Sequence, residues 1–201
     1  MDRQAHWDAA YTAKAETQVS WFQQAPTRSL AMIAKAAPAG SVIDVGGGAS
    51  RLVDALLDAG RADVTVLDIS QVALDRAKAR LGDRAAKVNW ICADITQWTP
   101  ERRWDAWHDR AVYHYLTEPG AQDAYIGAQT AATHPGSAVI LSTFALTGPE
   151  RCSGLPVQRY SPAQLAARLG AAFVLEDEAF EAHVTPWGAT QDFSYAVLRR
   201  R

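Results

Sequence analysis

The stretch "SVIDVGGGAS", residues 41–50, decides the fold. A short run of Val and Ile ends at Asp44 and breaks into three glycines, Gly46 to Gly48. Such a run reads as a buried β-strand. The next segment, "SRLVDALLDAG" (50–60), sets Leu52, Leu56 and Leu57 at helical spacing, with Gly60 as a stop. A glycine turn between a strand and a helix lets a ligand approach the backbone, and the helix offers it unpaired N–H groups. There is no Gly-Lys-Ser/Thr, so the turn is not a P-loop.

The alternation continues outward. "DVTVLDI" (63–69) reads as a second strand. "SQVALDRAKARLG" (70–82) reads as a helix with Ser70 as N-cap and Gly82 as its end. "KVNWICAD" (87–94) and "RWDAWHDRA" (103–111) are the third and fourth strands, residues 119–134 an Ala-rich helix, and "GSAVILSTFAL" (136–146) the fifth strand. After a helix over "SPAQLAARLG" (161–170), "AAFVLEDEAFEA" (171–182) and "DFSYAVLRR" (192–200) are two strands with no helix between them, hence an antiparallel pair. Near-continuous apolar strands separated by helices argue for a parallel sheet covered on both faces. The expected fold is α/β: a doubly wound, mostly parallel seven-stranded sheet with an antiparallel C-terminal hairpin. No repeat or linker interrupts it, so residues 1–201 are expected to be one domain, with 30–201 as its core and 1–29 as an N-terminal cap.

Composition narrows the partners. Of 201 residues, 20 are basic and 22 acidic, for a formal charge of −2. That leaves no electrostatic footprint for nucleic acid or an anionic membrane. No run approaches the ~20 apolar residues of a membrane span, and the N-terminus lacks a signal-peptide pattern. A cytoplasmic protein is the expectation. The two cysteines make no disulfide framework; Cys92, in an apolar run, reads as a small core residue. No His, Cys or carboxylate group has metal-ligand spacing.

The acids define the ligand. In the dinucleotide pattern G-x-G-x-x-G, Gly46, Gly48 and Arg51 hold the three places, so the third glycine is missing. Asp68 lies 20 residues past Gly48 and suits the vicinal hydroxyls of a ribose. Asp44 would repel a pyrophosphate two residues later but would welcome a cation. Asp94 ends the third strand, where it can meet an adenine amino group. A ligand with ribose, adenine and positive charge fits these acids better than NAD.

These motifs resemble those of the class I S-adenosyl-L-methionine (SAM)-dependent methyltransferases: "VIDVGGGAS" the first, "VLDIS" the second and "CADI" the third. The resemblance covers most of residues 30–201. It implies that Asp44, Gly46 and Gly48 adjoin the methionyl part, that Asp68 with Ile69 binds the ribose, and that Asp94 with Ile95 borders the adenine. An N-terminal helix is expected to bring Trp21 and Tyr11 over the cofactor, where aromatic faces favour a sulfonium. The alternative for each ring is simple docking of that helix on the core. The family pattern often has a glycine where Ser50 stands, but a Ser can still cap the helix.

Candidates for the chemistry crowd into "WHDRAVYHYLT" (107–117). His114 is the first choice for a general base and Asp109 the second, with Tyr113 beside them. Against this stands a structural ion pair of Asp109 with Arg110 and a passive His114. The long segment 147–162 offers Arg151, Arg159 and Tyr160 to an acidic or polar substrate and Cys152 as a reactive thiol, or is a surface excursion. His183, Trp187 and Gln191 sit in the loop 183–193, with a turn expected at Pro186–Gly188. The expected activity is methyl transfer from SAM, leaving S-adenosyl-L-homocysteine (SAH), to a small-molecule acceptor, a thiol or other soft nucleophile. Two alternatives are a protein-lysine methyltransferase, whose Asp-Lys/Arg signature the fourth strand also resembles, and a non-catalytic SAM-binding protein. A NAD-dependent reductase lacks its Tyr-x-x-x-Lys here, and a nucleic-acid methyltransferase lacks its Asn/Asp-Pro-Pro-Tyr.

Overall fold

The computed structural model describes residues 2–201. Helix α1 (Arg3–Ala13) comes first, capped by Asp2, whose carboxylate accepts from the Ala5 amide. Helix α2 (Thr27–Ala36) follows. The alternating part then runs β1 (Val42–Val45), α3 (Leu52–Asp58), β2 (Val64–Asp68), α4 (Gln71–Leu81), β3 (Val88–Cys92), β4 (Trp104–Arg110), α5 (Pro119–Ala131) and β5 (Thr133–Phe144). A two-rung hairpin, β6 (Arg151–Cys152) and β7 (Leu155–Pro156), leads to α6 (Pro162–Leu169) and to the closing pair β8 (Phe173–Val184) and β9 (Thr190–Arg200).

The main sheet has the order β3-β2-β1-β4-β5-β9-β8. Its first five strands are parallel; β9 runs antiparallel to β5 and β8 antiparallel to β9. This is the expected seven-stranded architecture. The small β6–β7 hairpin inside segment 147–162 is an addition that too few residues announce.

Both faces of the central strands are buried, as a parallel sheet requires. Successive residues point to opposite sides. Val42, Val64, Ile140 and Val197 join Ile33, Leu56 and Leu74 on the face of α2, α3 and α4. Ile43, Leu67, Trp107, Leu141 and Leu198 join Tyr125, Leu165 and Leu169 on the face of α5 and α6. Ser70 and Ser161 cap α4 and α6 as expected, the latter with Gln164 completing a reciprocal capping box. Helix α2 begins three residues ahead of the expected core boundary at 30 and belongs to the core.

Two readings are corrected. Cys92 is exposed, its Sγ 3.6 Å from the Ile69 carbonyl, because β3 is an edge strand and Cys92 its last residue. Asp109 and Arg110 form no pair, since neighbours on a strand face opposite ways: Asp109 reaches Tyr125 on α5, and Arg110 reaches Tyr195.

The other edge, β8, is 12 residues long and carries Glu176, Asp177, Glu178 and Glu181, with a register shift between Leu175 and Asp177. No helix among the described residues is long and apolar enough to cross a membrane.

Leu198 is fully buried at the seam between β5 and β8. Leu198→Ala should cost about 2–5 kcal/mol in urea unfolding. A loss well under 1 kcal/mol would mean that the closing hairpin is not part of the cooperative unit.

Candidate active site

The glycine turn is held from three sides. Gly46 has φ +70°, and a Cβ there would lie 2.0 Å from Val112 Cγ2. A Cβ on Gly47 would meet Asp44 Oδ2 at 2.6 Å, and one on Gly48 would meet Asp68 Oδ2 at 2.7 Å and Tyr11 Oη at 3.0 Å. Only glycine fits at these places. Ser50 is not the cap of the next helix: Arg51 holds the N-cap position without a side-chain cap, and Ser50 Oγ accepts from the Leu52 amide at 3.1 Å one residue ahead of it. Arg51, where a third glycine was missing, pairs with Glu16. Glu16 also takes Arg80 at 2.6 Å, which ties the segment after α1 to α3 and α4.

Beneath the turn, Asp44 is buried and bonded to the buried His108, Oδ1 to Nδ1 at 2.7 Å. His108 Nε2 lies 2.9 Å from Ser29 Oγ of α2. The two strands pair in register at 44 and 108, which puts both side chains on one face. Asp44 is thus bonded within the protein, and it lines an adjoining cavity of about 590 Å³ with its open mouth, together with Gly46, Gly47, Arg51 and His108.

The main cavity, about 990 Å³ with its open mouth, lies at the carboxyl ends of the parallel strands. Of the residues singled out in the sequence, Gly46, Asp68, Ile69, Asp94, Ile95, Tyr11 and Trp21 line it, and Asp44 and Gly48 do not. Asp68 accepts from the Ser70 amide at 2.8 Å, and burial pushes its carboxyl up to about 7. Asp94 is turned by Thr96, whose amide and hydroxyl donate to it at 2.9 and 2.7 Å. Helix α1 closes one side. Arg3 bonds to Thr96 Oγ1 at 3.2 Å, and Asp8 accepts from Ser70 Oγ at 2.6 Å. Trp7 meets Trp21 edge-on at 5.8 Å and Tyr115 at 5.0 Å, while Tyr11 meets Trp21 at 5.9 Å.

The expected chemical residues are elsewhere. His114 is buried behind the cavity wall, packed on Phe144 and Tyr115, and burial pushes its ring down to about 3. Asp109 accepts from Tyr125 Oη at 2.6 Å and from the amides of Val112 and Tyr113, and burial raises it to about 6. Tyr113 is buried against Tyr125 and Tyr160. None of the three lines the main cavity. Nor do the six-position substrate set apart from Tyr11: Arg151 bonds to the Gly154 carbonyl, Arg159 to Gly148 and Glu150, Tyr160 to Gln122, and His183 to the Ser20 carbonyl. Trp187 is 59% exposed in the turn between β8 and β9. In their place the far wall carries Arg110, Tyr115, Phe144, Cys152, Gln191 and Phe193. No group of three or more His, Cys, Asp or Glu among the described residues is placed to hold a metal ion.

Residues 42–136 match the family described as methyltransferase domain. That match spans just under half of the chain, and the sheet order 3-2-1-4-5 closed by an antiparallel pair is the class I methyltransferase fold. A malonyl-[acyl-carrier protein] O-methyltransferase of Anoxybacillus flavithermus is 34% identical over 83 residues, 41% of this chain and 31% of that protein. The matched part thus spans about a third of the relative. Solved structures share the fold. One, on conversion of a disulfide bond into a thioacetal group during echinomycin biosynthesis, has a TM-score of 0.77 at 22% identity, covering 98% of this chain and 92% of that one. The N-methyltransferase NodS from Bradyrhizobium japonicum, in complex with SAH, gives 0.73 at 16%, covering 96% and 97%. The 1,6-didemethyltoxoflavin-N1-methyltransferase of Burkholderia thailandensis, with its substrate and SAH bound, gives 0.70 at 19%, covering 98% and 83%.

Unfolded aspartates titrate near about 3.9, so ionising Asp68 is harder in the fold. The ligand-free methyltransferase should lose stability through this group as pH rises toward 7, and level off above. Asp68→Asn should therefore gain stability over wild type more at pH 8 than at pH 5 in urea unfolding. An equal effect at both pH values would make Asp68 an ordinary carboxylate.

Proposed function

We propose that this methyltransferase moves a methyl group from SAM to a small-molecule acceptor, with a thiol or other soft nucleophile as the acceptor class, and releases SAH. The observation that carries this reading is the polarity of the main cavity. Asp68 and Asp94 are its only acids among the described residues, and both stand at the ends of β2 and β3. The opposite wall is aromatic and apolar around one arginine.

The residues fit SAM. The packed glycine turn presents backbone at Gly46 to the cavity, and Asp68 is a buried carboxylate suited to accept from two vicinal hydroxyls. Asp94 and Ile95 offer an acceptor and an apolar surface to a purine. Trp7, Trp21 and Tyr115 place ring faces and edges around the cavity, where they exclude water and favour a cation. When bound, SAM supplies an electrophilic methyl on a sulfonium. No histidine lines the main cavity, and both acids are engaged at the nucleoside end. A nucleophile that ionises readily suits such a wall better than one that needs a protein base. The shared fold with NodS and the toxoflavin enzyme supports the donor; at under 25% identity it does not carry an acceptor.

Calorimetric titration with SAH tests the donor. Asp68→Ala should weaken SAH by about 1.5–3 kcal/mol, the range for a hydrogen bond to a charged group, and unchanged affinity would remove Asp68 as the ribose ligand. Wild-type affinity should rise with pH between 6 and 8 as Asp68 ionises, since the carboxylate is the stronger acceptor. Incubation with SAM and a panel of thiols, phenols and amines, read as SAH formed, tests the transfer. SAH binding with no turnover on any of them would favour a non-catalytic binder.

A further inference from the structure

Arg110 is a cation with one hand left open. Its Nε donates to Tyr195 Oη at 3.1 Å and its Nη1 to the Trp21 carbonyl at 3.1 Å. Its guanidinium carbon lies 4.3 Å from the Phe193 ring centroid. These contacts fix the plane of the group. Nη2 is buried and has no hydrogen-bond partner among the described residues.

The nearby acids are committed elsewhere. Glu181 accepts from Tyr195 Oη at 2.6 Å and from Gln23 at 3.0 Å, so it meets Arg110 only through the tyrosine. Glu16 holds Arg51 and Arg80, and Asp44 holds His108. An N–H shut away from water without a partner is costly unless a ligand supplies one. Gln191, on the same cavity wall, has a buried Oε1 that is also unpartnered.

We infer that Arg110 holds an anionic group of the methyl acceptor, so that the acceptor is a small acid rather than an amine. This rests on the methyl-transfer reading above. A planar guanidinium with a free, oriented N–H suits a carboxylate or another compact oxyanion. Gln191 Oε1 only accepts, so it is left for a donor elsewhere on the same molecule, and Phe193 gives the acceptor an apolar surface. A carboxylate at Arg110 has a second source, the methionyl end of the donor, because Arg110 stands where the main cavity meets the adjoining one. The donor has another guanidinium there, one it would share with Glu16. Arg51 lines the adjoining cavity beside the turn, and its buried Nε is unpartnered.

The test is calorimetric titration of the SAH-saturated protein with three probes of one size: benzoate, benzyl alcohol and benzylamine. Benzoate should bind about tenfold or more tighter than either of the others. Arg110→Gln should abolish that preference and leave SAH affinity within about threefold, and Arg110→Lys should restore part of it. Equal binding of the three probes, preference for the amine, or no binding of benzoate overturns the inference while SAH binding keeps the donor reading intact. Loss of SAH affinity in Arg110→Gln overturns it in favour of the donor's carboxylate. If wild type does not bind SAH at all, the methyl-transfer reading falls and this inference with it. Should Arg110→Gln fail to melt cooperatively, the wild-type ranking of the three probes decides alone.

Discussion

The site depends on a lack of room. At Gly46, Gly47 and Gly48 in turn, an added Cβ would come within 3 Å of Val112, Asp44 and Asp68. Those neighbours come from the turn after β4, from β1 itself and from the end of β2. One short segment is thereby wedged among three strand ends. The Asp44–His108–Ser29 chain supports it from below and links β1, β4 and α2 through fully buried hydrogen bonds. Close packing of this kind lets the backbone, instead of side chains, form one wall of the cavity.

From that turn the rest of the cavity follows by strand geometry. Parallel strands deliver their carboxyl ends to one edge, so Asp68, Asp94 and Arg110 arrive at the same opening from β2, β3 and β4. The N-terminal helix then supplies what the sheet lacks. It brings Trp7 and Tyr11 against Trp21 and Tyr115, and it is fastened at both ends by charged contacts, Arg3 with Thr96 and Glu16 with Arg51 and Arg80.

The fold was legible in the sequence because the β–α units carried their own signals: apolar runs, Ser70 as a cap, Gly60 and Gly82 as stops. The acidic end of the cavity, with Asp68 and Asp94, was legible for the same reason, since the three motifs are local. The far wall was not. Asp109, Tyr113 and His114 crowd together in sequence, yet strand alternation and the turn at 113–115 send them behind the wall, to α5 and Phe144. The residues that do line that wall come from β4, β5, the small hairpin and β9, up to 83 positions apart between Arg110 and Phe193. No window of sequence contains such a set. The one available signal was chemical: Arg110 had no local acid once Asp109 was seen to face the other way.

The acidic edge has a consequence for how these chains behave when crowded. Strand β8 leaves a row of backbone groups unpaired on its outer side, which is a template for another strand. Glu176 and Asp177 there are paired with Arg199 and Lys35, and the register shift at Leu175–Asp177 breaks the flat ladder that a second copy laid edge to edge would need. A bent edge studded with ion pairs opposes growth of the sheet from one molecule into the next. The longest open strand of the fold is thus guarded against the fibrous association to which its length would otherwise expose it.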